Sequence, residues 1–391
     1  MMRKKTIKQE THTWWQAWYG GPLLMALLFT TAALFYACGP GHSETEKKLM
    51  ARYAHYLHPT DKDSTNIIYI DVAYDKQLVS PTNHPEAVGE VAITDRRKLA
   101  CLLQELCSDT SYEVVMIDVS LNANTPTDAD SALVSLLLNM PRTVIAAATE
   151  GDLIDPRLES MAGQTAYPIS ASEAGFVKYP LWRDGHTSMP MSLYMKTSGH
   201  AAVPLAGPFG RESNSLVCSH IFPTLDHRVG ATDTLRLGAD IVDGGFLQSM
   251  PHDYLKNMIV VVGAISEGDV HSSYAGDISG PEINLNTYLA LKHGRHRIGW
   301  LQTLLLVACF YLICFSIVRS RWKVTDRLQR SPWWPARAFG LILSGLIYTI
   351  LLNLIFLLNY ILFAQVLSIT PVAFGFLVFN KIVQTNKIAR K

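Results

Sequence analysis

Long uncharged apolar stretches near the two ends of the chain are the sequence feature that most restricts its fold. Residues 22–37 carry no charge, and neither do residues 298–318 and 338–380. A membrane-spanning helix needs about 20 predominantly apolar residues. We therefore expect one span over 21–38 and another over 298–318.

The last apolar stretch is too long for a single span. Its 43 residues, 338–380, fit a hairpin of two spans, 338–357 and 361–380, with Asn359 and Tyr360 at the turn. The sequence thus predicts four transmembrane helices, one N-terminal and three C-terminal.

Lysine and arginine residues determine the predicted orientation. They cluster before the first span, between the second and third, and after the fourth: Arg3, Lys4, Lys5, Lys8; Arg319, Arg321, Lys323, Arg327, Arg330, Arg337; Lys381, Lys387, Arg390 and Lys391. Four spans place all three clusters on one side, which the positive-inside rule makes cytoplasmic. We expect a multi-pass protein of the bacterial inner (cytoplasmic) membrane, with both termini in the cytoplasm and its large domain in the periplasm.

This topology divides the chain into eight segments. They are a cytoplasmic N-terminus (1–20), a span (21–38), an extracytoplasmic domain (39–296), a span (298–318), a cytoplasmic basic loop (319–337), two further spans (338–357 and 361–380) and a cytoplasmic tail (381–391). The cytoplasmic pieces are too short to bury a core. The chain has 34 Lys and Arg residues and 33 Asp and Glu residues. Its net charge is therefore close to zero and does not indicate a nucleic-acid partner.

The first apolar stretch has a second interpretation as a processed signal. The run before Cys38 weakly resembles a lipoprotein signal, but Phe35 and Tyr36 stand where small residues are usual. We expect an uncleaved anchor. For Cys218, a disulfide to Cys101 or Cys107 stays open.

The external domain alternates short β-rich runs with amphipathic segments. Strands are predicted at 67–72, 113–119, 143–148 and 258–263, and helices at 43–57, 95–107, 129–139 and 282–293, with Thr94 or Asp95 as a helix N-cap. Apolar strands that alternate with helices are typical of βαβ units. The expected fold is an α/β domain with a largely parallel sheet. Residues 200–235 read as a loop-rich insertion without a functional interpretation.

Polar side chains follow several of these strands. Asp71 and Asp118 each end an apolar run, Asp269 lies in the loop after the last strand, and Glu282 and Asn284 lie at the start of the next helix. Ligands of open α/β sheets bind beyond the carboxyl ends of the strands. We therefore predict a small-ligand site at these five residues.

A purely structural role is the alternative for these acidic residues. An aspartate at a strand end often ties down the following loop or pairs with a nearby arginine, here Arg96 or Arg97. No nucleophile and base accompany the carboxylates, so we expect no catalytic residues. No metal-ligand spacing or phosphate-binding loop is found, and we expect neither a metal nor another cofactor.

The external domain resembles the second type of CHASE domain, an extracellular sensory module associated with bacterial cyclases and histidine kinases. The resemblance runs through Ile70-Asp71, Arg97 and its helix, Ile117-Asp118, Asp130 and the segment 175–185. Its strongest part lies at 258–294, where Gly263, Asp269, Gly280, Glu282, Ile283 and Asn286 agree with the family pattern. One span before the domain and about three after it also agree.

The sequence departs from that pattern at three points. Asn284 stands where histidine is usual, Ser279 replaces proline, and an arginine after the Asp184-Gly185 pair is absent. The resemblance implies that the domain senses an unknown signal, whereas the effector domain usual in the family is not present in the printed sequence. We expect a non-enzymatic sensor that binds an extracytoplasmic ligand or envelope partner and acts on a separate membrane or cytoplasmic effector, with homodimerisation compatible with this role. The alternative is a structural docking subunit of a bacterial envelope complex.

Overall fold

The computed structural model describes most of the chain. The described residues are 20–41, 44–57, 66–82, 89–147, 153–164, 178–183, 185–225, 227–229, 234–251, 253–319, 323–329, 331–368 and 370–389. Residues 1–19 of the predicted cytoplasmic N-terminus and residues 175–177 lie outside them.

The described residues form eleven α-helices and seventeen strands. The helices are α1 Gly21–Cys38, α2 Glu44–Leu57, α3 Arg96–Ser108, α4 Asp130–Leu138, α5 Met189–Ser198, α6 Phe246–Ser249, α7 Gly280–Lys292, α8 Trp300–Val318, α9 Lys323–Gln329, α10 Trp334–Phe363 and α11 Thr370–Ala389. The strands are β1 Ile67–Asp71, β2 Lys76–Val79, β3 Val91–Thr94, β4 Val114–Asp118, β5 Thr143–Ala147, β6 Ala162–Gln164, β7 Tyr179–Pro180, β8 Trp182–Arg183, β9 His186–Thr187, β10 Ala202–Pro204, β11 Phe209–Glu212, β12 Ser215–Cys218, β13 His220–Ile221, β14 Thr234–Arg236, β15 Ile259–Gly263, β16 Val270–Ser273 and β17 Gly276–Ser279.

A six-stranded parallel sheet forms the centre of the α/β region. Its strand order is β14-β1-β15-β4-β5-β6, and every neighbouring pair is parallel. This confirms the predicted α/β class with a parallel sheet. Because β15 lies between β1 and β4, the ends of these three strands meet at one place: Asp71 pairs with Gly263, and Gly263 pairs with Asp118.

Helices cover both faces of this sheet. Side chains alternate across each strand, so Ile68 and Ile70 pack with α3 and α4 while Tyr69 packs on the opposite face with α5 and α7. Helix α3 begins where the sequence predicts, because the side chain of Asp95 accepts hydrogen bonds from the Arg97 and Lys98 amides. The result is a three-layer domain with two apolar cores.

Three described helices are long and apolar enough to cross a membrane: α1, α8 and α10. A further helix, α11, contains a shorter apolar part, Thr370–Val383. The aromatic rings of Phe29, Phe310 and Phe376 meet where α1, α8 and α11 pack. These features are compatible with a membrane-embedded protein.

The predicted turn at Asn359 and Tyr360 is wrong. Helix α10 continues through both residues to Phe363, and α11 starts at Thr370. Asn359 is buried, donates a hydrogen bond to the Gln365 carbonyl and accepts one from the Gln302 amide. The polar side chain of Asn359 thus contacts α8 and the segment that follows α10, and it does not end α10.

The loop-rich insertion at 200–235 contains a small sheet of its own. Strands β10, β11 and β12 pair antiparallel, and Cys218 at the end of β12 forms a disulfide with Cys38 at the end of α1. Cys101 and Cys107 are free thiols. The disulfide that the sequence left open for Cys218 is therefore made with a different cysteine, and Cys38 has no thiol available for a lipid.

Candidate functional site

The five predicted site residues lie around the carboxyl end of the central strands, but they do not act alike. Asp71 is 2% exposed. Its Oδ1 accepts from the Ala73 amide at 2.9 Å and the Ile265 amide at 3.0 Å, and its Oδ2 accepts from the Ser266 hydroxyl at 2.5 Å. A carboxylate with three donors is already satisfied. Asp71 ties the loops after β1 and β15 together.

Glu282 is also committed to structure. Together with Ser279 it forms a capping box at the start of α7, in which the carboxylate and the N-cap hydroxyl satisfy free backbone amides reciprocally. Its Oε1 accepts from the Val229 amide at 2.8 Å, and the Arg228 guanidinium lies 3.7 Å away. Glu282 fixes the start of α7 and the segment at 227–229.

Asp118, Asn284 and Tyr179 form a chain of hydrogen bonds. The Asn284 side-chain amide donates to Asp118 Oδ2 at 2.7 Å, and its carbonyl oxygen accepts from the Tyr179 hydroxyl at 2.5 Å. The hydroxyl donor and the carboxylate acceptor fix the orientation of the amide between them. The chain connects the end of β4, the first turns of α7 and the short strand β7.

Asp269 lies beside these three residues and forms a hydrogen bond with a histidine. The His271 ring nitrogen Nε2 is 2.8 Å from Asp269 Oδ1. That hydrogen bond, together with the negative charges of Asp269 and Asp118, raises the pKa of His271. Burial and the charge of Asp269 raise the pKa of Asp118 to about 7, although Asn284 opposes this by its hydrogen bond.

Two glycines allow the close packing of this site. A Cβ on Gly263 would meet Pro281 in the first turn of α7, and one on Gly280 would overlap the Asp269 carboxylate. The end of β15 and the start of α7 therefore approach their neighbours more closely than residues with a Cβ would permit. This explains why β15 ends with glycine and α7 begins with glycine.

The hydrogen bonds of Tyr179, Asn284 and Asp118 are connected to the first candidate span, α1, through Lys178. Next to Tyr179, Lys178 is buried and donates from Nζ to the Ala37 carbonyl at the end of α1, at 2.6 Å. Burial lowers the pKa of Lys178 to about 7, although the charge of Glu46 opposes the shift. The Ser219 hydroxyl donates to the Cys38 carbonyl at 3.0 Å.

The middle residue of these hydrogen bonds, Asn284, is connected to α8 through its own helix. Helix α7, which carries Asn284, ends at Lys292, and α8 starts at Trp300. The amide of Gln365 donates to the carbonyls of Arg295 and Arg297 in this short connection, at 3.1 and 2.8 Å. The site is thus linked by short connections to α1 and to α8.

The predicted arginine partners are wrong. Arg96 is buried and donates to the Asp130 carboxylate at 2.6 Å and to the Asn122 carbonyl at 3.0 Å. Arg97 forms an exposed pair with Asp128. Both arginines hold the loop from β4 to α4 and not the strand-end aspartates.

Proton exchange and cation binding are the chemistry that this arrangement suits. Asp118 and Asp269 are neighbouring carboxylates, and a nearby positive charge or a proton relieves their repulsion. Within the described ranges, no group of three His, Cys, Asp or Glu side chains is arranged to hold a metal ion. A separate cavity of about 290 Å³ lies beyond the C-terminus of α3, lined in part by Glu105, Gln248 and Tyr254.

Sequence reasoning missed two members of this site. His271 follows Asp269 by two residues, a spacing that could have indicated their pairing next to a strand. Tyr179 carries no comparable signal, because only the tertiary fold brings β7 to α7. The comparison with known proteins adds no further assignment, since no family of sequences, no curated protein and no solved structure matches this chain.

Proposed function

We propose that the chain is a sensor anchored in a bacterial cytoplasmic membrane, with its α/β domain on the extracytoplasmic side and a separate protein as its effector. The resemblance to the second type of CHASE domain supports this role, as do the three long apolar helices and the shorter apolar part of α11. A disulfide at Cys38 and Cys218 suits an oxidising compartment outside the cytoplasm. The sensor is non-enzymatic in this proposal.

The observation that carries the proposal is the position of Asn284. Its side chain joins Asp118 on the sheet to Tyr179, whose neighbour Lys178 contacts the end of α1. The helix that carries Asn284, α7, is joined to α8 by the short connection 293–299. A change at Asp118 therefore has a short path to two helices that pack on one another.

We propose that the ligand is small and carries a positive charge. It would contact Asp118 and Asp269, whose repulsion it relieves, and so favour one arrangement of Asn284 over another. A ligand shifts a conformational equilibrium only by its difference in affinity for the two states. Charge neutralisation at Asp118 supplies such a difference.

Capture of partners tests the proposal. Full-length protein is crosslinked gently in native membranes, purified, and its partners are identified by mass spectrometry. Wild type is compared with Asn284→Ala, and Asn139→Ala serves as the control because Asn139 is exposed at the end of α4.

A sensor predicts that wild type and the control capture the same kinase, cyclase or regulator, and that Asn284→Ala changes the yield several-fold. Equal capture of structural envelope proteins by all three variants contradicts the sensor. That result favours the docking subunit and leaves no role for a ligand at Asp118.

A further inference from the structure

The small antiparallel sheet of the 200–235 insertion has two different faces. Residues opposite one another in antiparallel strands share a face, so Val203, Arg211 and Leu216 lie in one row, and Phe209 lies beside Cys218. These five residues define the outer face. The inner face, in contrast, packs Gly210 against the ring of Trp182.

The outer face is attached to the end of α1. Cys218 is bonded to Cys38, and the ring of Phe209 packs edge-on against Phe35 with centroids 6.1 Å apart. The turn between β10 and β11 also lies here, because a Cβ on Gly207, whose φ is +73°, would contact the Phe35 ring. The face is therefore continuous with a helix long and apolar enough to cross a membrane.

The same sheet also adjoins the start of α8. The Ile298 amide donates to the Leu216 carbonyl at 2.9 Å, and the Cys218 amide donates to the His296 carbonyl at 2.8 Å. Trp300, the first residue of α8, is 78% exposed. Tryptophan prefers the boundary between membrane and water, so Trp300 marks the level of that boundary.

Apolar side chains on and beside the outer face are uncovered. Val203 is 52% exposed, Leu205 in the adjoining turn 46%, Leu216 41% and Phe35 47%. Single exposed apolar residues need no explanation, but a group next to two candidate spans marks an interaction site. Arg211, exposed in the same row, adds a cation that suits lipid phosphate.

We propose that the outer face of the β10–β12 sheet lies in the headgroup region of the extracytoplasmic leaflet and contacts lipid directly. The occupant is the phospholipid bilayer, because the face continues the apolar surfaces of α1 and α8 at the level of Trp300. An apolar surface edged by a basic residue is the usual composition of interfacial membrane contacts. The insertion thus fixes the height and tilt of the domain above the membrane, a role separate from ligand sensing.

Site-specific photocrosslinking to lipid tests this contact. A benzophenone amino acid replaces Leu205 or Leu216 in the full-length protein, which is reconstituted into nanodiscs of phosphatidylethanolamine and phosphatidylglycerol. Leu78, equally apolar and 65% exposed on β2, is the negative control. Leu304, 57% exposed on α8, is the positive control. Only preparations that retain the Cys38–Cys218 disulfide on non-reducing gels are compared.

Lipid adducts at positions 205 and 216 should exceed those at position 78 several-fold and approach those at position 304. Yields at 205 and 216 equal to that at 78, with strong labelling at 304, overturn the proposal while leaving the membrane embedding of α8 intact. Crosslinks to a second copy of the chain at 205 and 216, in place of lipid, also overturn it. Absence of lipid adducts at position 304 would show that α8 does not contact lipid, and it would thereby refute the proposed lipid contact of the outer face.

Discussion

Replacing Asp118 by asparagine should stabilise the protein at alkaline pH. The pKa of Asp118 is raised to about 7 by burial and by Asp269, against an ordinary value near 4 in an unfolded chain. The folded state therefore binds the proton more tightly than the unfolded state. Stability from this group is fully present below about pH 4 and is lost as the pH rises towards 7.

The expected size follows from the pKa difference. A shift of this extent corresponds to a ceiling of about 4 kcal/mol in the free energy of unfolding. Asp118 keeps some exposure and is influenced by the charges of Asp269 and His271 in opposite directions, so we expect about 1–3 kcal/mol between pH 5 and pH 8. The asparagine side chain of the variant has no charge to lose, and its oxygen still accepts the hydrogen bond from Asn284.

Thermal unfolding of the full-length protein in detergent, followed by tryptophan fluorescence, measures this effect. The Tm of Asp118→Asn should exceed that of wild type at pH 8 by several degrees, since about 1 kcal/mol shifts the Tm of a domain this size by about 2–4 °C. The difference should shrink at pH 5. Asp128→Asn is the control, because Arg97 lowers the pKa of this exposed carboxyl. A Tm difference independent of pH, or a less stable Asp118→Asn at pH 8, refutes the reasoning.

Three further predictions concern stability and redox state. Arg96→Ala removes a buried guanidinium and leaves the half-buried Asp130 carboxylate without its cation, which should reduce the free energy of unfolding by about 2–4 kcal/mol. Arg97→Ala, in an exposed pair, should cost much less, and equal losses in denaturant titration would contradict this contrast. Maleimide labelling of unreduced native membranes should modify Cys101 but not Cys218, and labelling of both would show that the disulfide is absent. Ser279→Ala removes one side of the capping box and should lower stability by about 1 kcal/mol, which denaturant titration measures against wild type; no loss would show that Glu282 caps α7 unaided.

Local patterns in the sequence were sufficient for four of the six strands of the central sheet, but not for β6 and β14. Apolar runs such as 67–72 and 258–263 form β1 and β15 within one residue of the predicted bounds, because a strand buried on both faces has few alternatives. Asp95 caps α3 as predicted. The alternation of strands and helices indicated the parallel sheet, since parallel strands need crossover connections.

Two aspartates in the same local sequence pattern have different roles, and only the tertiary structure distinguishes them. Asp71 and Asp118 end the same kind of strand, yet Asp71 receives three hydrogen bonds from nearby loops. Asp118 accepts one from Asn284 and lies near the charge of Asp269. The neighbouring groups decide whether a carboxylate is fully hydrogen-bonded or has a raised pKa. Those neighbours come from segments that are distant in the sequence.

The sequence by itself determined where apolar helices and buried strands form, because these depend on the composition of a short stretch. Only the tertiary structure decided that Cys218 pairs with Cys38, 180 residues away, and that α10 continues through Asn359. A polar residue within an apolar run ends a helix in one setting, and in another it bonds to a neighbouring helix, as Asn359 does with Gln302 of α8. The physical reason is that hydrogen bonds and disulfides join groups that are close in space, and closeness between distant segments is a property of the packed chain.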